Sequence, residues 1–178
     1  CVPLVIAQYA LTTFIVLYLQ EDIGLSVISA GAVLAVAQAS GGTDRIIFGA
    51  VASRYLNPLT TLLLLALGGS LAAFLTASFT VSWPLALIYA VGVIFGASAA
   101  GWNGVYLAEV SRRAQAGEVS RTTGAVTFII FGAVVIGPAV FGAVVALVSF
   151  QVAYIGIGFF VLISVFAFLR ALKHVRAD

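Results

Sequence analysis

Uninterrupted apolar runs as long as a bilayer is thick constrain this chain more than any other feature. "VPLVIAQYALTTFIVLYL" (residues 2–19) and "LTTLLLLALGGSLAAFLTASF" (residues 59–79) contain no Lys, Arg, Asp or Glu. Each matches the run of about 20 apolar residues that a helix needs to cross a hydrocarbon core. Of the 178 residues, 63% are hydrophobic and 8% charged, with a mean hydropathy of +1.22. Soluble domains carry about 25% charged residues, so no single soluble core accounts for this composition. In lipid only helices and closed barrels satisfy every backbone N–H and C=O. Barrel strands would appear as alternating segments of about 10 residues, and these runs do not alternate. The chain is read as an all-α membrane protein.

Six spans are expected, at about 2–19, 26–52, 59–79, 84–110, 122–148 and 152–170. Glu21-Asp22 with Gly24, Asn57-Pro58, Trp83-Pro84 and Ser149–Gln151 mark turns between them, and "SRRAQAGEVSR" (111–121) is the one clearly polar linker. Arg54, Arg112, Arg113, Arg121, Arg170, Lys173 and Arg176 all fall on one side of such a bundle, while the opposite loops contain no Lys or Arg. By the positive-inside rule both ends are cytoplasmic, and the expected location is a bacterial inner (plasma) membrane. The net charge of +2 sits at span ends and not on one soluble face, so nucleic acid is not an expected partner. Tyr18, Tyr55 and Trp83 lie near span ends, where aromatic side chains anchor the interface. The single Cys1 excludes an internal disulfide or a cysteine-based metal site. The chain opens directly in apolar sequence and has no Met, which reads as a fragment of a longer protein.

Inside the second span, "AVAQASGGTDRIIFGAVASRYLNP" (35–58) carries an acid and a base side by side. Asp44 and Arg45 are neighbours, so on a helix they point apart and each needs its own partner. Arg45 precedes Arg54 by nine positions, which is roughly 13 Å at 1.5 Å per residue. A charge at a helix centre costs about 3 kcal/mol on insertion scales, so both side chains must face protein or water. Two roles compete. In one, the pair bonds to neighbouring helices and gates a conformation; in the other, Arg45 binds an anion or Asp44 carries a proton. Gln38 and Arg45, seven apart, share a face near Gly31, Gly41, Gly42 and Gly49, which suits a protein interface or a cavity wall.

Small residues recur on other spans too: Gly92, Gly96, Gly101 and Gly104 on the fourth, and Gly124, Gly132, Gly137 and Gly142 on the fifth. Helices in lipid associate through close backbone approach and polar contacts, so these glycines are expected to be packing positions. Glu109 and Arg113 are an i,i+4 pair with the acid first, the more favourable order, and Arg54 and Arg112 are further candidate partners for Glu109.

At "FGAVASRYLNP" the sequence resembles the loop signature of the major facilitator superfamily, Gly-x-x-x-Asp-Arg followed by a basic loop. Gly49 and Arg54 match; Ser53 stands in place of the Asp, Leu56 in place of a Gly, and Asn57-Pro58 in place of basic residues. "YLQEDIGLSVISAGAVLAVAQ" is similar to the first loop and second helix of the family's second half. "GWNGVYLAEVSRRAQAGEVSRTTGAVTFIIFGAVVIGPAVFG" is similar to a fourth and fifth helix and their connecting loop, with Gly137-Pro138 resembling a Gly-Pro helix motif.

The resemblance implies that residues 1–178 form the C-terminal six-helix half of a twelve-helix fold, its partner being a missing N-terminal half. It implies a secondary transporter, a permease working by alternating access, in which a small solute binds near the midplane and the halves rock around it. Coupling to a proton is compatible with this, and no other cofactor is expected. In the family the first and fourth helices of each half line the cavity, which points to Gln8, Tyr9, Thr12 and Thr13, and to Trp102, Asn103 and Tyr106. Gln38 joins them as a substrate candidate. Asp44, Arg45, Arg54, Glu109 and Arg113 form the expected gating network, while Gly49, Gly101, Gly104, Gly137 and Pro138 are candidate packing or hinge positions. Arg45 would suit an organic anion; Tyr9 and Trp102 would suit an amphipathic solute.

Two rivals come from other classes. An intramembrane enzyme is disfavoured because the only histidine, His174, lies in the C-terminal tail, and no metal cluster, phosphate loop or pair of intramembrane acids is present in the sequence. A channel-like or purely structural six-helix bundle would leak without saturating, whereas a carrier saturates.

Overall fold

The computed structural model describes residues 1–54, 57–115 and 117–175, and the side chains of these except 50–54, 174 and 175. The described residues form six helices: α1 (Val2–Glu21), α2 (Val27–Arg54), α3 (Pro58–Ala77), α4 (Leu85–Arg113), α5 (Val119–Leu147) and α6 (Phe150–Val175). Their short connections make successive helices antiparallel. Among the described residues, α1, α3, α4, α5 and α6 are long and apolar enough to cross a membrane by length and composition. α2, which carries Gln38, Asp44 and Arg45, is not among them.

The boundaries follow local chemistry. Asn57 caps α3, its side-chain oxygen accepting from the Leu59 N–H at 2.9 Å, and Pro58 occupies the first helical position, where its missing N–H costs nothing. Gly24 turns the chain between α1 and α2 at φ +77°, a conformation that suits a residue without Cβ. The polar linker is shorter than its composition suggests. α4 runs on to Arg113 and α5 starts at Val119, so much of 111–121 is helical.

α1 is the hub. It touches every other helix, and Leu4, Val5, Leu11, Ile15, Tyr18 and Leu19 are buried. The most extensive pairings are α2 with α4 and α3 with α6. α5 packs chiefly on α1 and buries little beyond Ala133, Gly137 and Phe141.

The α2–α4 seam depends on missing side chains. A Cβ added at Gly96 would collide with the Ala37 carbonyl oxygen, and one at Gly41 would lie 2.8 Å from both Ala100 Cβ and the Gly96 carbonyl oxygen. Ser40 Oγ lies 2.8 Å from the Ala37 carbonyl oxygen of its own helix and 3.1 Å from the Val93 carbonyl oxygen across the seam, and its hydroxyl donates between them. Gly92 and Gly101 also pack closely, against Val33 and Phe48. On α5, Gly137 seats Ile6 of α1, while Pro138 lies within a continuous helix. Not every glycine packs. Among the described residues, a Cβ at Gly31, Gly42, Gly49, Gly124 or Gly132 would meet nothing within 4 Å, so none of these five is a close contact there.

Tyr18 departs from the interface role expected of it. It is fully buried, donates its hydroxyl to the Thr76 carbonyl oxygen at 3.0 Å, and sits among Phe79, Phe150 and Tyr154. At this end of the bundle α1, α3 and α6 converge and enclose the ring. Trp83 is half-buried and packs on Phe79, with ring centroids 5.0 Å apart. Tyr55 lies outside the described residues. Replacing Tyr18→Phe keeps the ring and removes one buried hydrogen bond, a loss of about 1 kcal/mol. Thermal unfolding in detergent should register a small, reproducible drop in midpoint, whereas a headgroup-level anchor would show none.

Candidate polar face

The polar side chains of α1 and α4 meet near the arginine-rich end of the bundle, where α1, α3 and α5 begin and α2, α4 and α6 end. Asn103 Nδ2 approaches Gln8 Oε1 at 3.5 Å, a long contact that leaves both amides with unused hydrogen-bonding capacity. Both side chains are half-buried. Tyr9 and Thr12 are half-buried on α1, with the Thr12 hydroxyl 3.4 Å from the Tyr9 carbonyl oxygen, and Thr13 is exposed. Tyr106 is half-buried one turn beyond Asn103.

Trp102 is placed otherwise than a cavity-lining residue would be. It is 1% exposed, within the core, and its indole meets Tyr106 with ring centroids 5.9 Å apart. On a helix, adjacent residues 102 and 103 point about 100° apart, so Asn103 takes the polar face and Trp102 the packed one. The indole Nε1 is buried and finds no acceptor among the described residues.

On α2, Gln38, Gly42, Arg45 and Gly49 follow at i, i+4, i+7 and i+11 and form one stripe. Gln38, Gly42 and Arg45 are exposed, and Gly42 and Gly49 have open space where a Cβ would stand. Gly41, one residue away, is buried against α4. The seam therefore leaves a polar stripe uncovered beside it. Arg45 Nε donates to the Ala100 carbonyl oxygen at 3.3 Å, reaching a turn of α4 close to Asn103. Asp44 is half-buried beside Gly101, its Cβ 3.7 Å from where a Cβ would be built there. The acid and base thus point to different neighbours, as adjacent helix positions require.

At the end of α4 the Glu109 carboxylate is buried, with 6% of its side chain exposed, and it accepts from both Arg112 and Arg113. Arg112 makes a fork of Nε and Nη2 bonds at 2.9 and 2.8 Å. The two arginine side chains are 65% and 50% exposed, so the buried carboxylate is held by bases that remain accessible. The Arg54 side chain, the third expected partner, lies outside the described residues. A cleft of about 460 Å³ opens here, with Gly49, Asn57, Gly104, Glu109 and Arg112 among its walls. Among the described residues, Gly104 has only the Arg45 carbonyl oxygen near its missing Cβ, at 3.9 Å, so α2 and α4 are less tightly apposed there than at Gly96.

The structure thus joins Gln8 to Asn103, Arg45 to the α4 backbone, and Glu109 to Arg112 and Arg113. Several bonds had no counterpart in the sequence reading, among them the Tyr18 bond to Thr76 and a buried one from the Ser70 hydroxyl to the Gly158 carbonyl oxygen at 2.9 Å. Ser40 spans the α2–α4 seam, for which its place beside Gly41 in a small-residue run was a signal. Gln151 Nε2 donates to Asp22 Oδ2 at 3.0 Å at the other end of the bundle, linking two turns far apart in sequence.

Comparison with known proteins adds one match. The family model described as Major Facilitator Superfamily matches residues 1–133, which takes in α1 to α4 and the first half of α5. No curated protein and no solved structure matches the chain.

Proposed function

Because this chain belongs to the major facilitator superfamily, whose members are membrane transporters, we propose that it moves a small solute across the bilayer by alternating access. The reading takes the six helices as one half of a twelve-helix carrier, with α2 as its sixth crossing and both termini cytoplasmic. Solute binds to the polar face of α1 and α4, through Gln8, Tyr9, Thr12, Asn103 and Tyr106, with Gln38 at its edge. Arg45 and the Glu109–Arg112–Arg113 cluster control closure at the cytoplasmic end. An organic anion or an amphipathic solute suits these groups, and proton coupling fits the same arrangement.

One observation carries this reading: the uncovered stripe of Gln38, Gly42 and Arg45 on α2, beside the polar face of α1 and α4. Polar and ionised side chains in membrane helices face protein or a water-filled cavity, not lipid. A second half packed over α1, α2 and α4 would cover the stripe and enclose an aqueous path along it. The exposed side chains of α6, by contrast, include Ile155, Phe159, Ile163 and Phe166, a surface made for hydrocarbon.

Thiol labelling separates the two faces. In a Cys1→Ser background, Thr13→Cys should react with a membrane-impermeant maleimide, and Phe159→Cys should stay unreacted until detergent is added. Gln115→Cys, in the α4–α5 connection, should label only from the cytoplasmic side. An inert Thr13→Cys in bilayers would remove the aqueous path, and labelling of Gln115→Cys from outside would invert the proposed orientation.

A further inference from the structure

α5 and α6 are joined by a very short turn at Val148 and Ser149, yet they touch each other little, because α5 leans onto α1 instead. The divergence opens a cavity of about 360 Å³ between α1, α5 and α6. Gly137, Phe141 and Ile157 form its buried floor, and Val140, Val152 and Gly156 its exposed rim. No lining residue has a polar side chain. The cavity lies away from the Gln8–Asn103 contact and from the Arg45 stripe, and none of the candidate solute-binding residues lines it.

We propose that this cleft is a binding site for one acyl chain of a membrane phospholipid, held as a resident part of the protein–lipid boundary. The inference rests on the membrane placement of the chain and not on the carrier reading. Three observations select the occupant. Water is excluded, because a buried water needs two to four polar partners and the side chains here offer none. A further helix cannot enter the cleft, because a helix with side chains is about 10–12 Å across and the turn at Val148–Ser149 holds α5 and α6 together at one end. The space is, however, more than twice the ~150 Å³ of a dry apolar cavity that accepts a benzene ring. A slender hydrocarbon fits between those limits. The rim is also continuous with the apolar flank of α6 at Ile155 and Phe159, 40% and 62% exposed, which is the surface an integral membrane protein turns to lipid. A chain can enter sideways from the bilayer without leaving hydrocarbon.

Gly156 makes the site testable. A Cβ there would meet nothing within 4 Å, so a side chain can be introduced at the rim without a backbone clash. The probe is a phosphatidylcholine with a diazirine at mid-chain, doped into vesicles holding the full-length protein and photolysed, with adducts mapped by peptide mass spectrometry. Adducts should concentrate on the 136–144 and 152–160 segments, several-fold above those on the α6 ridge at Ile163 and Phe166. Gly156→Phe should lower that excess to ridge level while leaving ridge labelling unchanged. Uniform labelling of all exposed faces in the parent protein would overturn the proposal without any variant being needed. An excess that persists in a folded Gly156→Phe protein would overturn it too. Loss of solute transport in either protein has no bearing on the outcome, so the two readings fail separately.

Discussion

Gly96→Leu should prevent the bundle from assembling, and it is the most damaging single substitution expected in this chain. The α2–α4 seam is the most extensive helix pairing, and at Gly96 it has no room even for a methyl group, because the obstacle is the Ala37 main-chain oxygen and not a side chain that can rotate away. Forcing extra methylenes into a packed interior costs about 1–3 kcal/mol, occasionally more, and rigid backbone on the opposing side puts this case at the upper end. Separating the helices would also break the Ser40 bond to Val93 and the Arg45 bond to Ala100. Loss of monodisperse protein on size exclusion, or a large fall in thermal midpoint, reports the effect. Gly42→Ala, on the same pair of helices but facing open space, should be neutral, since substitutions away from contacts stay within about 0.5 kcal/mol. Equal damage from the two substitutions would refute the seam.

Arg45→Ala should alter the maximal rate of solute turnover about tenfold. The argument begins with its bond to the Ala100 carbonyl oxygen, at 3.3 Å. Hydrogen bonds from a charged group contribute about 1.5–3 kcal/mol, and the exposure of Arg45 places this one at the low end. If the bond forms in one conformation only, its loss shifts the conformational equilibrium by about tenfold, since 1.4 kcal/mol is a factor of ten. Initial uptake rates over a range of solute concentrations separate rate from affinity. A rise in the half-saturating concentration at unchanged maximal rate would assign Arg45 to the solute instead, as an anion ligand.

How much of this was legible beforehand depends on which physical property each feature uses. The helices stood out because apolar runs of membrane length have few other fates, and α1, α3 and α6 begin within two residues of their expected starts. The α4–α5 connection was overestimated because arginines at 112 and 113 look like loop, whereas bonding to Glu109 one turn back continues the helix. Rotation of each helix about its axis was not legible. Gly41 and Gly42 are identical in sequence terms, yet one touches α4 and the other faces outward. The same limit misplaced Tyr18, whose position near a helix end says nothing about whether lipid or neighbouring helices surround it. For the candidate site, Gln8 and Asn103 were named separately, and only tertiary structure brings their amides together. Glu109 with Arg113 was readable because that pair lies within one helical turn.

Counterflow tests the carrier account most directly. Vesicles containing the full-length protein are preloaded with an unlabelled solute found by screening organic anions and amphipathic compounds, then diluted into a trace of the labelled form. An alternating-access carrier exchanges one molecule for another, so the label should rise transiently above its external concentration and then decay as the preload escapes. A monotonic approach to equal concentrations, unchanged by the preload, would show an open path through the bundle and contradict the account.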